Sequence, residues 1–185
     1  QQAYTQPNAS DNTRMIGWAC QQAANLDGDQ LEHYWGNGNF TLPLSREFNN
    51  VVATELAKVS VRAARENIRV NGIDNIQMIR LAAEEVTQAM RRDREFRRLA
   101  DLPKPLHEYE LKTVFVDPPR AGLDAQTVQM VASFDTIIYI SCNPETLAEN
   151  LALLGNSHRV GQFALFDQFP YTDHMECGVV LHRKA

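Results

Sequence analysis

An α/β fold built on a mostly parallel sheet is what this 185-residue sequence predicts. Three observations carry the expectation. Short β-rich runs alternate with helix-forming segments, the rhythm of strands joined by crossover helices. Several of the runs deliver a glycine, an acid or a cysteine at their ends, where open α/β sheets keep their chemistry. The last two runs are separated by a loop alone, which predicts that the sheet ends in an antiparallel pair.

Seven runs qualify as strands: residues 31–34, 51–55, 76–80, 113–116, 136–140, 162–166 and 178–182. Helix formers fill the early intervals at 57–71, with Gly72 as a C-terminal stop, and at 83–98 and 125–132. Pro144-Glu145-Thr146 opens another helix. Residues 101–110, with two prolines, read as a surface loop. There is no internal repeat and no low-complexity tract. A hydrophobic content of 44% over this length suits one compact domain.

Composition narrows the classes further. Cys20, Cys142 and Cys177 lie far apart, which argues against a structural zinc site, an iron–sulfur cluster or a disulfide framework and fits a reducing, cytoplasmic setting. No apolar run approaches the roughly 20 residues of a membrane span, and the N-terminus lacks the order of a signal peptide. The net charge of −5 is awkward for a nucleic-acid binder. Positive charge is nonetheless clustered, with Arg62, Arg65 and Arg69 at helical spacing and Arg91, Arg92, Arg94, Arg97 and Arg98 in a second segment; both read on their own as solvated helix faces.

Four strand ends carry candidate chemistry. The first strand runs into Gly36-Asn37-Gly38-Asn39, where two glycines let the backbone turn sharply and approach a ligand. The third glycine of the dinucleotide fingerprint is missing at Thr41, which weakens an NAD reading. Glu55 ends the second strand, where a carboxylate can accept hydrogen bonds from both ribose hydroxyls, so loop and acid together suggest an adenosine-type cofactor such as S-adenosylmethionine. Val114-Phe115-Val116 delivers Asp117-Pro118-Pro119-Arg120, a carboxylate and an arginine on a rigid turn; the arginine suits a phosphate or a carbonyl-bearing pyrimidine better than a stacked amino base.

Cys142, in Ser141-Cys142-Asn143-Pro144, stands between a strand and a helix. It is either a small buried hydrophobe or a nucleophile whose thiolate the helix dipole would favour. In the last loop, Glu176 leads into the apolar Gly178-Val179-Val180-Leu181. Partial desolvation would raise its pKa toward that of a general base, the alternative being a solvated hairpin glutamate.

Taken together, these segments resemble the bacterial tRNA (uracil-5-)-methyltransferase family. The resemblance runs over essentially the whole chain, from Tyr4-Thr5-Gln6-Pro7-Asn8 through the Gly36 loop, Asp117-Pro118-Pro119-Arg120, Ser141 to Leu147 and Phe166 to Tyr171, to His174-Met175-Glu176-Cys177. It implies a Rossmann-like class I S-adenosylmethionine-dependent methyltransferase fold, with a seven-stranded sheet whose C-terminal strand is antiparallel. It also implies methyl transfer to carbon 5 of the T-loop uridine U54 of tRNA.

By the same resemblance Cys142 adds to carbon 6 and Glu176 removes the carbon-5 proton. Gln6, Tyr34, Asn39, Glu55 and Asp117 match cofactor positions, and Arg120 and Asp117 lie near the base. The uracil must leave its stack to react. His174 either orients Glu176 or caps its loop. The implied partner is the tRNA T arm, or RNA that mimics it, with no membrane and no metal. Full-length members carry an N-terminal region that helps hold RNA, so residues 1–185 are expected to form the methyltransferase domain alone and to bind tRNA weakly. His33 and Trp35 stand where the family usually has leucine and cysteine. An added indole beside the cofactor is expected to overpack the site, at about 1–3 kcal/mol. The rival readings are an rRNA uracil-5-methyltransferase, a catalytically weak RNA-binding or folding module, and, less well matched, a cytosine-5 methyltransferase.

Overall fold

The computed structural model describes residues 9–36, 38–168, 172 and 175–185. Seven strands form one sheet: β1 (Asp29–His33), β2 (Val51–Thr54), β3 (Ile76–Ile79), β4 (Leu111–Val116), β5 (Thr136–Ser141), β6 (His158–Phe166) and β7 (Glu176–Arg183). Their order across the sheet is β3-β2-β1-β4-β5-β7-β6. The first five are parallel, and β7 lies antiparallel to both β5 and β6. Order reverses at β1, which sends the chain to β2 on one side and, later, to β4 on the other. The carboxyl ends of β1 and β4 therefore border a crevice at a topological switch point.

Strands β1 to β5 and β7 are buried on both faces over most of their length, whereas the edge strand β6 is largely exposed, and the buried residues alternate between two cores. Leu31, Val52, Val114, Ile137 and Val179 join one cluster with α4 (Ala83–Arg91), α5 (Ala125–Val131) and α6 (Pro144–Leu154). Ala53, Met78, Phe115, Ile138 and Val180 join the other with α1 (Ala9–Ala23) and α3 (Lys58–Val70). A short helix, α2 (Thr41–Leu44), continues the glycine loop into this second core through Phe40 and Leu44.

Several expectations are corrected. The 83–98 helix stops at Arg91, because Arg92 adopts a left-handed conformation (φ 61°) and the N–H groups of Arg92 and Asp93 return to the carbonyls of Ala89 and Gln88. Those two bonds close a Schellman cap, after which Phe96 plugs into the core. Residues 101–110 are only partly a surface loop: they hold the end of a 3₁₀ turn (Arg97–Asp101) and the whole of a second (Leu106–Glu108), and Leu106 and Tyr109 are buried. The sequence reading assigned no element to α1, whose apolar positions include Met15, Trp18 and Ala19.

Helix α1 is seated by a close fit. A Cβ at Gly178 of β7 would come within 2.6 Å of the Trp18 ring, and Trp18 meets Phe166 edge-on with 5.9 Å between ring centroids. Gly178→Val is therefore expected to lift α1 from the sheet and to lower unfolding free energy by about 1–3 kcal/mol, as overpacking does. Urea unfolding followed by tryptophan fluorescence measures it, and an unchanged midpoint contradicts the fit.

Candidate active site

The switch-point crevice collects the candidate residues. The loop after β1 turns at three successive left-handed positions among the described residues, Tyr34 (φ 68°), Gly36 (φ 57°) and Gly38 (φ 74°). Trp35 explains why position 38 carries no side chain, since a Cβ there would lie 2.5 Å from the indole. The indole is 3% exposed and belongs to the apolar cluster of Met15, Phe40 and Phe115. Its volume is taken up in the core beneath the loop, so the expected overpacking of the ligand space is not observed. His33 is also buried and packs edge-on against Tyr34, with its Nδ1 2.6 Å from Thr54 Oγ1. Burial holds its pKa down at about 4, so the imidazole is neutral.

Glu55 follows β2 directly. One carboxylate oxygen, Oε1, accepts from the backbone N–H groups of Leu56 (2.7 Å) and Ala57 (2.9 Å), which fixes the side chain at the head of α3. Tyr34 directs its hydroxyl toward Thr127 of α5, 3.4 Å away. The Asn39 amide makes a reciprocal pair with Asn12 of α1, at 2.7 and 3.1 Å, and so ties the glycine loop to that helix. Gln6 and His174 lie outside the described residues.

The second half of the site is assembled by register. The β5–β7 ladder ends at Ser141↔Cys177, and of the residues one step beyond it, Cys142 and Glu176, the second lies close enough for its charge to act on the thiol of the first. Asp117 is the first residue beyond β4. Its turn is fastened to α6 by Asn143 Nδ2 and Thr146 Oγ1, which donate to the Arg120 carbonyl at 3.0 and 3.1 Å. Asn143 also caps α6 by accepting from the Glu145 N–H. Further along, buried Asn150 accepts from the Leu123 N–H and the Tyr139 hydroxyl, both at 2.8 Å. Neither asparagine was singled out from sequence as a tether; a capping asparagine ahead of Pro144 was the available signal for the first.

Electrostatics couples these groups. Glu176, 2% exposed, has its pKa raised to about 7 by burial, with the Arg120 guanidinium opposing. This agrees with the reading of Glu176 as a partly desolvated carboxyl. Asp117 is raised to about 7 by burial and by the Glu176 charge. Glu32 of β1 was not anticipated as a site group. It is buried, accepts a hydrogen bond from Thr41 Oγ1, leaves Oε2 without a partner among the described residues, and is raised to about 8 by burial and then by Asp117.

The Cys142 thiol is also pushed up, by burial first and then by Glu176 and Asp117; only its own backbone and Arg120 pull the other way. The helix start, which the sequence offered as a feature that would favour a thiolate, does not set the direction of the shift. In this site desolvation and two neighbouring carboxyls outweigh the helix start.

The molecule's solved relatives define its class. A likeness in fold extends across an N-methyltransferase from Bradyrhizobium japonicum, with a TM-score of 0.69 over 96% of this chain and 99% of that one at 8% identity. The fold is that of the Rossmann-like class I S-adenosylmethionine-dependent methyltransferases. The structure of a Pyrococcus abyssi tRNA (uracil-54, C5)-methyltransferase with S-adenosyl-L-homocysteine matches with a TM-score of 0.74 and 25% identity, covering 97% of this chain and 40% of that chain.

Within that class the family is specific. The family model for tRNA (uracil-5-)-methyltransferase matches residues 1–184. The tRNA/tmRNA (uracil-C(5))-methyltransferase of Saccharophagus degradans is 58% identical over 181 residues, and that of Erwinia tasmaniensis 57% over 182. The chain belongs to the tRNA (uracil-5-)-methyltransferase family. It spans about half the length of these relatives, 98% of this chain aligning with 49% of each.

The raised carboxyls fix a pH dependence. The folded chain holds protons that Glu32, Asp117 and Glu176 release in the unfolded chain near their ordinary values, so stability falls as pH rises toward the folded values of about 7 to 8. Buried neutral His33 acts in the opposite sense only below its ordinary value of 6.5. The melting temperature is therefore expected to drop between pH 6.5 and 8.5, and Glu32→Gln is expected to flatten the drop. Calorimetry over that range checks it; a melting temperature that climbs with pH contradicts the assignment.

Proposed function

We propose that this chain is the catalytic part of an S-adenosylmethionine-dependent tRNA methyltransferase that converts the T-loop uridine U54 to 5-methyluridine. The observation that carries the reading is that Cys142 and Glu176, each one step beyond the last β5–β7 pair, share one electrostatic neighbourhood with Arg120. Family membership supplies the reaction class.

The cofactor fits the crevice residues. The positive-φ glycine loop permits close backbone approach, and Glu55, held through one oxygen by two backbone donors, leaves its other oxygen to accept from ribose hydroxyls. Tyr34, Asn39 and Asp117 border the same crevice, and Gln6 completes the family's set. When bound, S-adenosylmethionine supplies an electrophilic methyl group and a positive charge. A cation beside Cys142 would lower the thiol's pKa and favour the thiolate.

The chain's own groups then divide the work. The Cys142 thiolate adds to carbon 6 of the flipped uracil, forming the S–C6 bond and leaving an enolate whose charge Arg120 and Asp117, in its protonated form, can stabilise. Carbon 5 takes the methyl group. Glu176, with a pKa of about 7, accepts the carbon-5 proton, and the returning electron pair expels Cys142. A cytoplasmic setting follows from tRNA as substrate.

Mass spectrometry with a T-arm RNA carrying 5-fluorouridine at the target position and S-adenosylmethionine tests the scheme. A methylated adduct on Cys142 is expected, absent in Cys142→Ser. With ordinary uridine, Glu176→Gln is expected to accumulate the adduct while turnover falls by about 10²–10⁴-fold. An adduct on Cys20 or Cys177, or methyl transfer by Cys142→Ser, overturns the scheme.

A further inference from the structure

The arginine clusters play no part in the chemistry above, yet they converge on one place. Eleven of the chain's 18 lysines and arginines fall between Lys58 and Lys104, against seven of its 23 acidic residues. The rest of the chain carries seven basic and 16 acidic residues. A molecule of net charge −5 thus concentrates its positive charge in the segment that forms α3, β3, α4 and the turns after it.

Two parts of this segment, α3 and the turn Arg97–Asp101, flank the free edge of β3. A groove of about 410 Å³ runs along that edge, bounded by Arg65 and Ile68 of α3 on one side and by Arg98, Asp101 and Leu102 of the 3₁₀ turn on the other. Arg65 donates to the Met78 carbonyl of β3 at 3.1 Å, and Arg98 donates to the Arg80 carbonyl at 2.7 Å, so both guanidiniums are held over the strand. Each guanidinium carries five N–H donors, more than these contacts use. Asp101 and Glu85 neutralise the pair in part. Arg62 and Arg97 are exposed on the same two elements, and neither makes an ion pair among the described residues. Ile68, Ile76 and Met78 give the groove an apolar wall.

We propose that this groove is a second RNA contact site, where the phosphates of a strand meet the arginines while its nucleosides lie against the apolar wall. The proposal rests on the RNA-methylation reading and extends it to a surface outside the crevice. β3 is four strand spacings from β5, about 19 Å at roughly 4.8 Å each. A single nucleotide at Cys142 does not cover that distance, whereas a folded RNA does. Paired arginine donors over an apolar wall match a phosphate backbone with stackable bases, and the negative charge elsewhere on the chain steers the RNA to this face.

Fluorescence anisotropy of a labelled tRNA transcript with the chain, across a potassium chloride series, tests it against the double variant Arg62→Gln/Arg97→Gln. Each lost phosphate contact reduces the slope of log affinity on log salt by about 0.7–0.9, so a slope shallower by about 1.5 is expected, with several-fold weaker binding at low salt. Arg14→Gln/Arg159→Gln, which removes the same charge from α1 and β6, is expected to leave the slope unchanged. Equal slopes for the groove variant and the original chain, an equal effect of the Arg14/Arg159 pair, or no salt-dependent binding by the original chain each overturn the proposal. Calorimetric titration with S-adenosylmethionine separates the two readings: retained cofactor binding with unaltered salt slopes removes the groove alone, and absent cofactor binding with the expected slopes removes the methyl-transfer reading.

Discussion

The reversed direction of β7 is the constraint on which the site depends. Five parallel strands can bring the glycine loop, Glu55, Asp117 and Cys142 to one end of the sheet, because they all finish there. A sixth parallel strand at that place would contribute only its own carboxyl end. By entering antiparallel between β5 and β6, β7 begins where the others finish, and its first residue, Glu176, comes one step beyond the last β5–β7 pair, where its charge reaches Cys142. That placement is framed by six residue pairs, from Thr136↔His182 to Ser141↔Cys177.

Burial then gives that geometry its chemical character. Three carboxyls, on β1, after β4 and at the start of β7, lie where water is scarce, and each raises the cost of ionising another. The thiol of Cys142 shares the same field. Such surroundings favour protons over negative charge. They suit a cation, and they make the folded chain less stable in alkali. Arg120 is the exception in sign, and its backbone is clamped by Asn143 and Thr146, which anchors a cation close to the groups it moderates.

Much of this was legible in sequence. Short β-rich runs located every strand, and the residues near their ends, from Gly36 to Glu176, stood out because a glycine pair, an acid after a β-branched run and a Pro-Pro turn are visible in sequence. Boundaries were less legible. The helix from Ala83 ends early because of a cap in which Arg92 takes a conformation that glycine usually supplies, so the stop signal was missing from the sequence. Helix α1 is weakly patterned and is fixed by tertiary packing of Trp18 on Gly178. The direction of the Cys142 shift was not legible, because a helix start is visible in sequence, whereas the burial of Asp117 and Glu176 beside the thiol is a property of the folded sheet. For the same reason Glu32 escaped notice, and Trp35, assigned to the ligand space, proved to fill the core.

The central claim is that Glu176 faces Cys142 and holds its proton in place. Mapping the rate of iodoacetamide alkylation at Cys142 against pH, in the original chain and in Glu176→Gln, tests it most directly. Removal of the carboxyl charge predicts a lower pH midpoint for Cys142 with no shift at Cys20. A midpoint that stays put or rises would show that the two groups do not share one site.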